Sequence, residues 1–264
     1  GMKDVLEKIV AHKRIEVEEQ KKRRPINEIC RLLERKTVEA RSLKSALENS
    51  DSGIIAEFKR RSPSKGWINA CADVKPIAQS YEVNGAAALS VLSDERFFGG
   101  TALDVETAAS VTHLPVLRKE FIIDEYQIYE TKLLGANAIL LIAAAISKEE
   151  CRRFTKIAEE LQLEVLLELH DEKETDYISS HPLIGINNRN LGTFATHVEK
   201  SFQMTHILPK EALWVSESGI SSPTTVSALR EAGYRGFLIG ENFMKTPDPG
   251  ASLGAFVSEL KEDF

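Results

Sequence analysis

Apolar positions fall into two patterns along the chain. In residues 2–50, Val5, Ile9, Ile15 and Val17, then Ile29, Leu32 and Leu33, stand at roughly helical spacing among Glu, Lys and Arg. That pattern predicts amphipathic helix, broken near Pro25, with a second short helical stretch at 42–48. From Gly53 onward, short apolar and often β-branched runs alternate with longer amphipathic stretches. The runs cover 54–58, 87–92, 116–119, 138–142, 165–169, 183–187, 214–218 and 236–239. Helical patterns between them include 76–84, 125–134, 148–161 and 223–232. Near-continuous apolar strands separated by helices imply a parallel sheet covered by helices. Eight strands in regular alternation favour a closed barrel over an open doubly wound sheet. The expected fold is therefore α/β, a (β/α)8 TIM barrel over residues 51–264, with residues 2–50 as an N-terminal helical extension covering one end. No heptad is sustained there, so the extension is not read as a coiled coil. Gly85-Ala86, Gly135-Ala136 and Gly233-Tyr234 precede strands and look like helix C-caps.

Composition narrows the class. Of 264 residues, 42% are hydrophobic and 28% charged, an ordinary globular balance at the usual size of one α/β barrel. The formal net charge of −6 argues against nucleic acid as main partner but leaves room for a local basic pocket. Cys30, Cys71 and Cys151 are widely spaced and odd in number. Neither a disulfide framework nor a zinc cluster is expected, and a reducing cytoplasm fits best. The N-terminus is charged, so no secretory signal is expected. The longest apolar run, 136–146, is interrupted by Asn137 and is too short to span a bilayer.

In a parallel barrel, functional residues gather at the C-terminal strand ends. Here those ends read Glu57-Phe58-Lys59, Arg118-Lys119-Glu120, Glu168-Leu169-His170, Asn187-Asn188-Arg189, Glu217-Ser218-Gly219 and Gly240-Glu241. Charges aimed into a barrel mouth are costly unless paired or used. Lysines and an arginine beside several glutamates offset one another and suit anions and proton transfer. The glycine turns after strands seven and eight, with Ser218, Gly219, Ile239, Gly240 and Glu241, occupy the usual phosphate position, where backbone N–H groups approach closely. The Glu241 carboxylate would repel phosphate and is expected to point outward. The basic, hydroxyl-rich loop Lys59-Arg60-Arg61-Ser62-Pro63-Ser64-Lys65-Gly66 reads as a lid over a substrate carboxylate.

Two long motifs and two shorter ones occur in order. They are Ile55-Ala56-Glu57-Phe58-Lys59-Arg60-Arg61-Ser62-Pro63-Ser64-Lys65-Gly66, Pro115-Val116-Leu117-Arg118-Lys119-Glu120-Phe121-Ile122-Ile123-Asp124, Gly185-Ile186-Asn187-Asn188-Arg189-Asn190-Leu191 and Ser216-Glu217-Ser218-Gly219-Ile220. With them the chain resembles the indole-3-glycerol-phosphate synthase family of tryptophan biosynthesis. The resemblance implies a carboxy-lyase acting on 1-(2-carboxyphenylamino)-1-deoxyribulose 5-phosphate, with no cofactor and no metal. It implies that Lys119 is the general acid and Glu168 the general base. Lys59, paired with Glu57, contacts the substrate. It also implies that Ser62, Pro63, Ser64, Asn187, Arg189 and Glu217 hold and orient the substrate, with Arg189 on its carboxylate. Phe97, Phe121 and Leu191 are expected to line the slot for the aromatic ring. Asn190 departs from the family's usual aspartate, which touches only the supporting contacts.

The expected partner is that small phosphorylated aromatic-amino sugar, with no nucleic acid and no membrane. The chain is expected to be a monomer or weak homo-oligomer, open to association with other tryptophan-pathway enzymes. His170 lies two residues after Glu168, on the same side of its strand, but the other histidines lack ligand spacing. Trp67 and Trp214 read as packing residues. Lys148-Glu149-Glu150 and Glu172-Lys173-Glu174 read as ordinary helix starts. Rival readings are a sugar-phosphate isomerase or epimerase barrel, a non-catalytic ligand-binding barrel, and an interaction protein using residues 2–50.

Overall fold

The computed structural model describes residues 2–190, 192 and 195–262. Eight parallel strands close a barrel: β1 (Ile54–Phe58), β2 (Ala88–Leu92), β3 (Val116–Lys119), β4 (Ala138–Ile142), β5 (Glu164–Leu169), β6 (Leu183–Asn187), β7 (Leu213–Glu217) and β8 (Gly236–Ile239). Closure is made by β1 on β8, with Ile54 opposite Phe237 and Ala56 opposite Ile239. Every strand lies within a residue of the apolar run that predicts it. The runs are apolar throughout because each strand is buried on both faces. Ile54, Ala56, Val116, Ile139 and Ile184 belong to the layer between strands and helices, whereas Ile55, Leu117, Leu140, Leu166, Leu183 and Val215 fill the barrel.

This alternation also places the chemistry. Side chains two apart share a face, so Glu57 follows Ile55 inward, Lys119 follows Leu117, Glu168 follows Leu166 and Glu217 follows Val215. The helices between strands are ended by local signals. Ser147 forms a reciprocal capping box with Glu150, and Asp171 does so with Glu174, confirming both charged stretches as helix starts. Gly85, Gly135 and Gly233 sit in the left-handed region at the expected helix ends.

Residues 2–49 form α1 (Met2–Arg23), α2 (Ile26–Glu34) and α3 (Leu43–Asn49), and they touch both ends of the barrel. At the mouth, Leu6 and Ile9 of α1 pack with Phe97, Phe98 and Phe121. At the base, Leu43 and Leu47 of α3 join the barrel interior, and Glu164 at the start of β5 receives the backbone N–H of Lys44 at 3.2 Å. Two apolar positions do not face the core: Ile15 is 60% and Leu32 41% exposed. The buried stripe of α1 runs instead through Ile9, Lys13 and Val17, one turn apart. Lys13 is only 2% exposed despite its charge. Its ammonium lies 2.7 Å from Asp94, 3.0 Å from Glu120 and 2.8 Å from Glu16. These carboxylates offset the cost of burial and hold Lys13 above its ordinary pKa.

Candidate active site

A row of alternating charges crosses the mouth from β1 to β5. Lys59 lies 3.7 Å from Glu57. Glu57 accepts from Ser90 at 2.8 Å and from Lys119 at 3.2 Å. Lys119 lies 3.8 Å from Glu217. The imidazole of His170 lies 3.5 Å from Glu168. All of these groups are wholly or largely buried, so their charges act on one another at low dielectric.

Burial and neighbours drive the two lysines apart. Burial pulls the Lys59 pKa down, Glu57 opposes it, and Arg189 and Lys119 add to the fall, so it lies below the usual lysine value. Burial also acts on Lys119, but Glu57, Glu217 and Glu168 outweigh it and hold the ammonium above the usual value. Glu57 stays below the ordinary carboxylate value because Lys119, Lys59 and the Ser90 hydroxyl overcome its burial. Glu217 goes the other way: burial and repulsion from Glu168 raise it well above that value. Separated pKa values at neighbouring groups are the usual mark of divided acid and base roles.

Two connected compartments flank this row. The larger, of about 460 Å³, is lined by Ser218, Gly219, Ile239, Gly240, Glu241 and Lys245 among others, with Lys59, Lys65 and Arg189 at its side. Gly219 has φ +76°, and a Cβ there would meet the Thr196 methyl at 2.3 Å. Ser218 before it also has positive φ, at 74°. Asn187 and Asn188 hold this strained turn: Ser218 Oγ donates to Asn187 Oδ1 at 2.9 Å, and Asn188 Nδ2 donates to the Ser218 carbonyl at 3.0 Å. The smaller compartment, of about 80 Å³, is an apolar slot with Ile9, Phe98, Phe121, Leu140 and Ile142 in its walls and Lys119, Glu168 and Asn187 along one side.

The structure brings together Glu57, Lys59, Ser62, Ser64, Lys119, Phe121, Glu168, Asn187, Arg189, Ser218, Gly219, Ile239, Gly240 and Glu241 around these two compartments. Glu217 sits beneath, between Lys119 and Glu168. Gly185 leaves it room, since a Cβ there would lie 2.4 Å from its carboxylate. Pro63 is exposed at the lid tip. Leu191 lies outside the described residues.

Five expectations change. Glu241 does not point outward: its carboxylate reaches toward Arg189 at 3.8 Å and Lys65 at 3.9 Å, because those cations attract it into the cleft. Phe98 takes the slot position expected of Phe97. Phe98 packs 5.9 Å from Phe121 between ring centroids, whereas Phe97 meets the edge of His12. Trp67 is not a core residue. It is 59% exposed on the lid, where the Arg61 guanidinium stacks on it. The basic character of the lid is only partly aimed at the cleft. Arg60 anchors the lid base to Asp104 and to the carbonyls of Gly99 and Ala72, leaving Lys65 and the hydroxyls to face inward. Arg118, too, is turned out of the mouth by strand alternation, onto Glu130 at 2.7 Å.

Phe98, Asn188, Thr196, Ser221, Asn242 and Lys245 are site or supporting residues that sequence reading missed. Asn188 had a signal, since a buried amide between two strand-end polar residues needs four partners. It finds them in Ser216, Ser218 and two groups of Ser201. Among the described residues no group of three or more His, Cys, Asp or Glu has the arrangement to hold a metal ion.

The sequence profile of a family described as indole-3-glycerol phosphate synthase matches residues 6–256. A relative of that name from Bacteroides thetaiotaomicron is 54% identical over 261 residues, covering 98% of this chain and 100% of its own. Another of the same name, from Carboxydothermus hydrogenoformans, is 44% identical over 258 residues, covering 94% of this chain and 97% of its own. Among solved structures, a mutant tryptophan synthase alpha-subunit from Pyrococcus furiosus matches with TM-score 0.59 at 12% identity, over 81% of this chain and 99% of its own. At that identity the likeness is one of fold, the closed α/β barrel.

Proposed function

The chain belongs to the indole-3-glycerol phosphate synthase family, and we propose that the row of charges across its mouth divides the work of that reaction as follows. The family's members are carboxy-lyases. They close the indole ring of 1-(2-carboxyphenylamino)-1-deoxyribulose 5-phosphate, releasing CO2 and water.

The substrate phosphate sits in the larger compartment, on the backbone N–H groups near Gly219 and Gly240, with Lys65 and Lys245 nearby. The aromatic ring enters the slot between Phe98 and Phe121. Arg189 takes the ring carboxylate, releasing Ser64, to which it now donates at 2.6 Å. The ketone carbon then lies between the compartments, beside Lys119.

Lys119 donates its proton to the ketone oxygen as the ring carbon attacks, so a C–C bond forms and the C=O becomes C–OH. The C–CO2 bond breaks next, its electron pair returning to the ring as CO2 leaves. The hydroxyl then departs as water with a proton from Lys59, whose lowered pKa makes it the readier of the two donors. Glu168 removes the remaining proton and the indole is complete. Glu57 orients both ammonium groups. No external electron sink is needed, because the aromatic amine supplies the electrons.

The observation that carries this reading is Lys119, held charged at the junction of an apolar slot and a cationic, glycine-lined cavity. The test is to follow indole fluorescence with the carboxyphenylamino substrate. Lys119→Met should lose at least about 100-fold in kcat, the scale of a lost general acid, while still binding product. Near-normal turnover by a folded Lys119→Met protein rejects the assignment. The same reading takes the chain to act in the cytoplasm as a monomer or weak homo-oligomer. Among the described residues no helix is long and apolar enough to cross a membrane.

A further inference from the structure

His170 has no part in the reaction as drawn, yet it lies at the end of the charge row. It follows Glu168 by two residues, so both side chains project to the same side at the exit of β5. The imidazole is buried and its Nε2 lies 3.5 Å from Glu168 Oε2. Among the described residues neither ring nitrogen has a hydrogen-bond partner, and the Glu168 carboxyl meets Glu217 on its other side. A buried imidazole with both nitrogens idle is costly unless one is used. The ring is held in place from its backbone: the His170 and Asp171 N–H groups both donate to Glu174 Oε1, at 2.6 and 3.1 Å.

Charged groups face the imidazole from four elements. They are Glu168 on its own strand, Lys119 on β3, Lys200 on the helix Glu199–Gln203, and Glu174 on the turn Glu172–Tyr177. Burial first, then the two lysines, push its pKa below the ordinary histidine value against the pull of Glu168. The ring is therefore neutral at neutral pH and carries one N–H. The nitrogen facing a carboxylate oxygen is the one that keeps it.

We propose that His170 is a positioning residue for Glu168: its Nε2–H donates to Glu168 Oε2 and leaves Oε1 directed at the proton to be removed. The 3.5 Å separation closes to a hydrogen bond when the substrate fills the slot, as such contacts commonly tighten in the loaded enzyme. The role resembles the support that orients a base in other active sites, with the order of carboxylate and imidazole reversed. It rests on Glu168 being the base.

The test uses the full chain and four variants: His170→Leu, His170→Gln, Glu168→Gln, and the Glu168→Gln/His170→Leu double variant. For each, kcat and KM are measured from acid to alkaline pH. His170→Leu should lower kcat about tenfold or more with little change in KM, since the base loses its orientation while the substrate contacts remain. His170→Gln, which keeps an N–H donor, should recover most of the lost kcat. In the Glu168→Gln background, His170→Leu should add almost nothing, because the group it serves is gone. A wild-type profile in His170→Leu overturns the proposal. So do equal losses in His170→Leu and His170→Gln, and so do multiplicative losses in the double variant. Normal turnover by Glu168→Gln overturns the base assignment and the proposal with it. An inactive Glu168→Gln beside an unaffected His170→Leu overturns the proposal alone. Should His170→Leu not fold, 15N spectra of the wild-type imidazole decide the matter. A neutral Nε2–H tautomer is the expected result, and an Nδ1–H tautomer or an imidazolium overturns it.

Discussion

Glu217 is the residue whose environment asks most of the fold. It is fully buried, lies 3.8 Å from the Lys119 ammonium and shares its corner with Glu168. Its raised pKa has a consequence for stability. The fold favours the protonated acid more than the unfolded chain does, so the stabilisation is complete below the unfolded carboxylate value and is lost as pH rises through the raised one. Glu217→Gln removes that loss. The variant should be more stable than wild type at neutral to alkaline pH, with little or no gain near pH 4. Urea unfolding at the two ends of that range measures it, and an equal gain at both would reject a raised carboxyl.

At the level of elements, two devices keep the site in shape. The first is the clamp by which α1 is held to the barrel mouth. Lys13 meets Asp94, which caps the turn Glu95–Phe98 carrying the slot residue Phe98, and Glu120, which stands between Lys119 and Phe121. Lys13→Met leaves two carboxylates buried and unpaired, a loss of about 3–5 kcal/mol for a broken buried ion cluster. Because the pKa of Lys13 is raised, its contribution is fully present below the unfolded lysine value and is lost only in strong alkali. The deficit should therefore be the same at pH 6 and pH 8 in urea unfolding. An unchanged midpoint would remove the clamp from the account. The second device is the turn after β7. Gly219→Ala combines a positive φ with a clash against Thr196. It should raise KM about tenfold or more while kcat changes much less, since it disturbs the proposed phosphate end and not the proposed acid Lys119. A kcat effect without a KM effect would move phosphate binding elsewhere.

At the scale of the molecule, a chain of net charge −6 concentrates Lys59, Lys65, Lys245 and Arg189 around one cavity of about 460 Å³. Local field and not net charge governs which ligand enters. Inorganic phosphate should accordingly compete with substrate, raising apparent KM and leaving kcat alone, as initial-rate measurements would show. A fall in kcat at constant KM would place the anion outside the substrate cavity. The helices before the barrel also act at this scale. One chain segment closes the base with Leu47 and walls the slot with Ile9, so both ends of the barrel depend on it.

The alternation of apolar runs and amphipathic stretches was enough to specify eight strands, their order and their closure. In a parallel barrel each strand is buried on both faces and each connection is a helix, which leaves a local and periodic trace. The strand-end motifs likewise located Lys119, Glu168, Glu57 and Lys59, because alternation along a strand turns a sequence position into an inward direction. Tertiary structure alone decided which aromatic entered the slot and where the lid arginines went. It also decided that Glu241 turned inward and that a lysine, not Ile15, filled the buried stripe of α1. Each of these depends on charges or rings brought together from segments far apart in the chain. Lys13 is tolerated in the interior because Asp94 and Glu120 offset its charge, and Phe98 meets Phe121 in the slot while Phe97 meets His12. Periodicity along one segment carries no record of such partners.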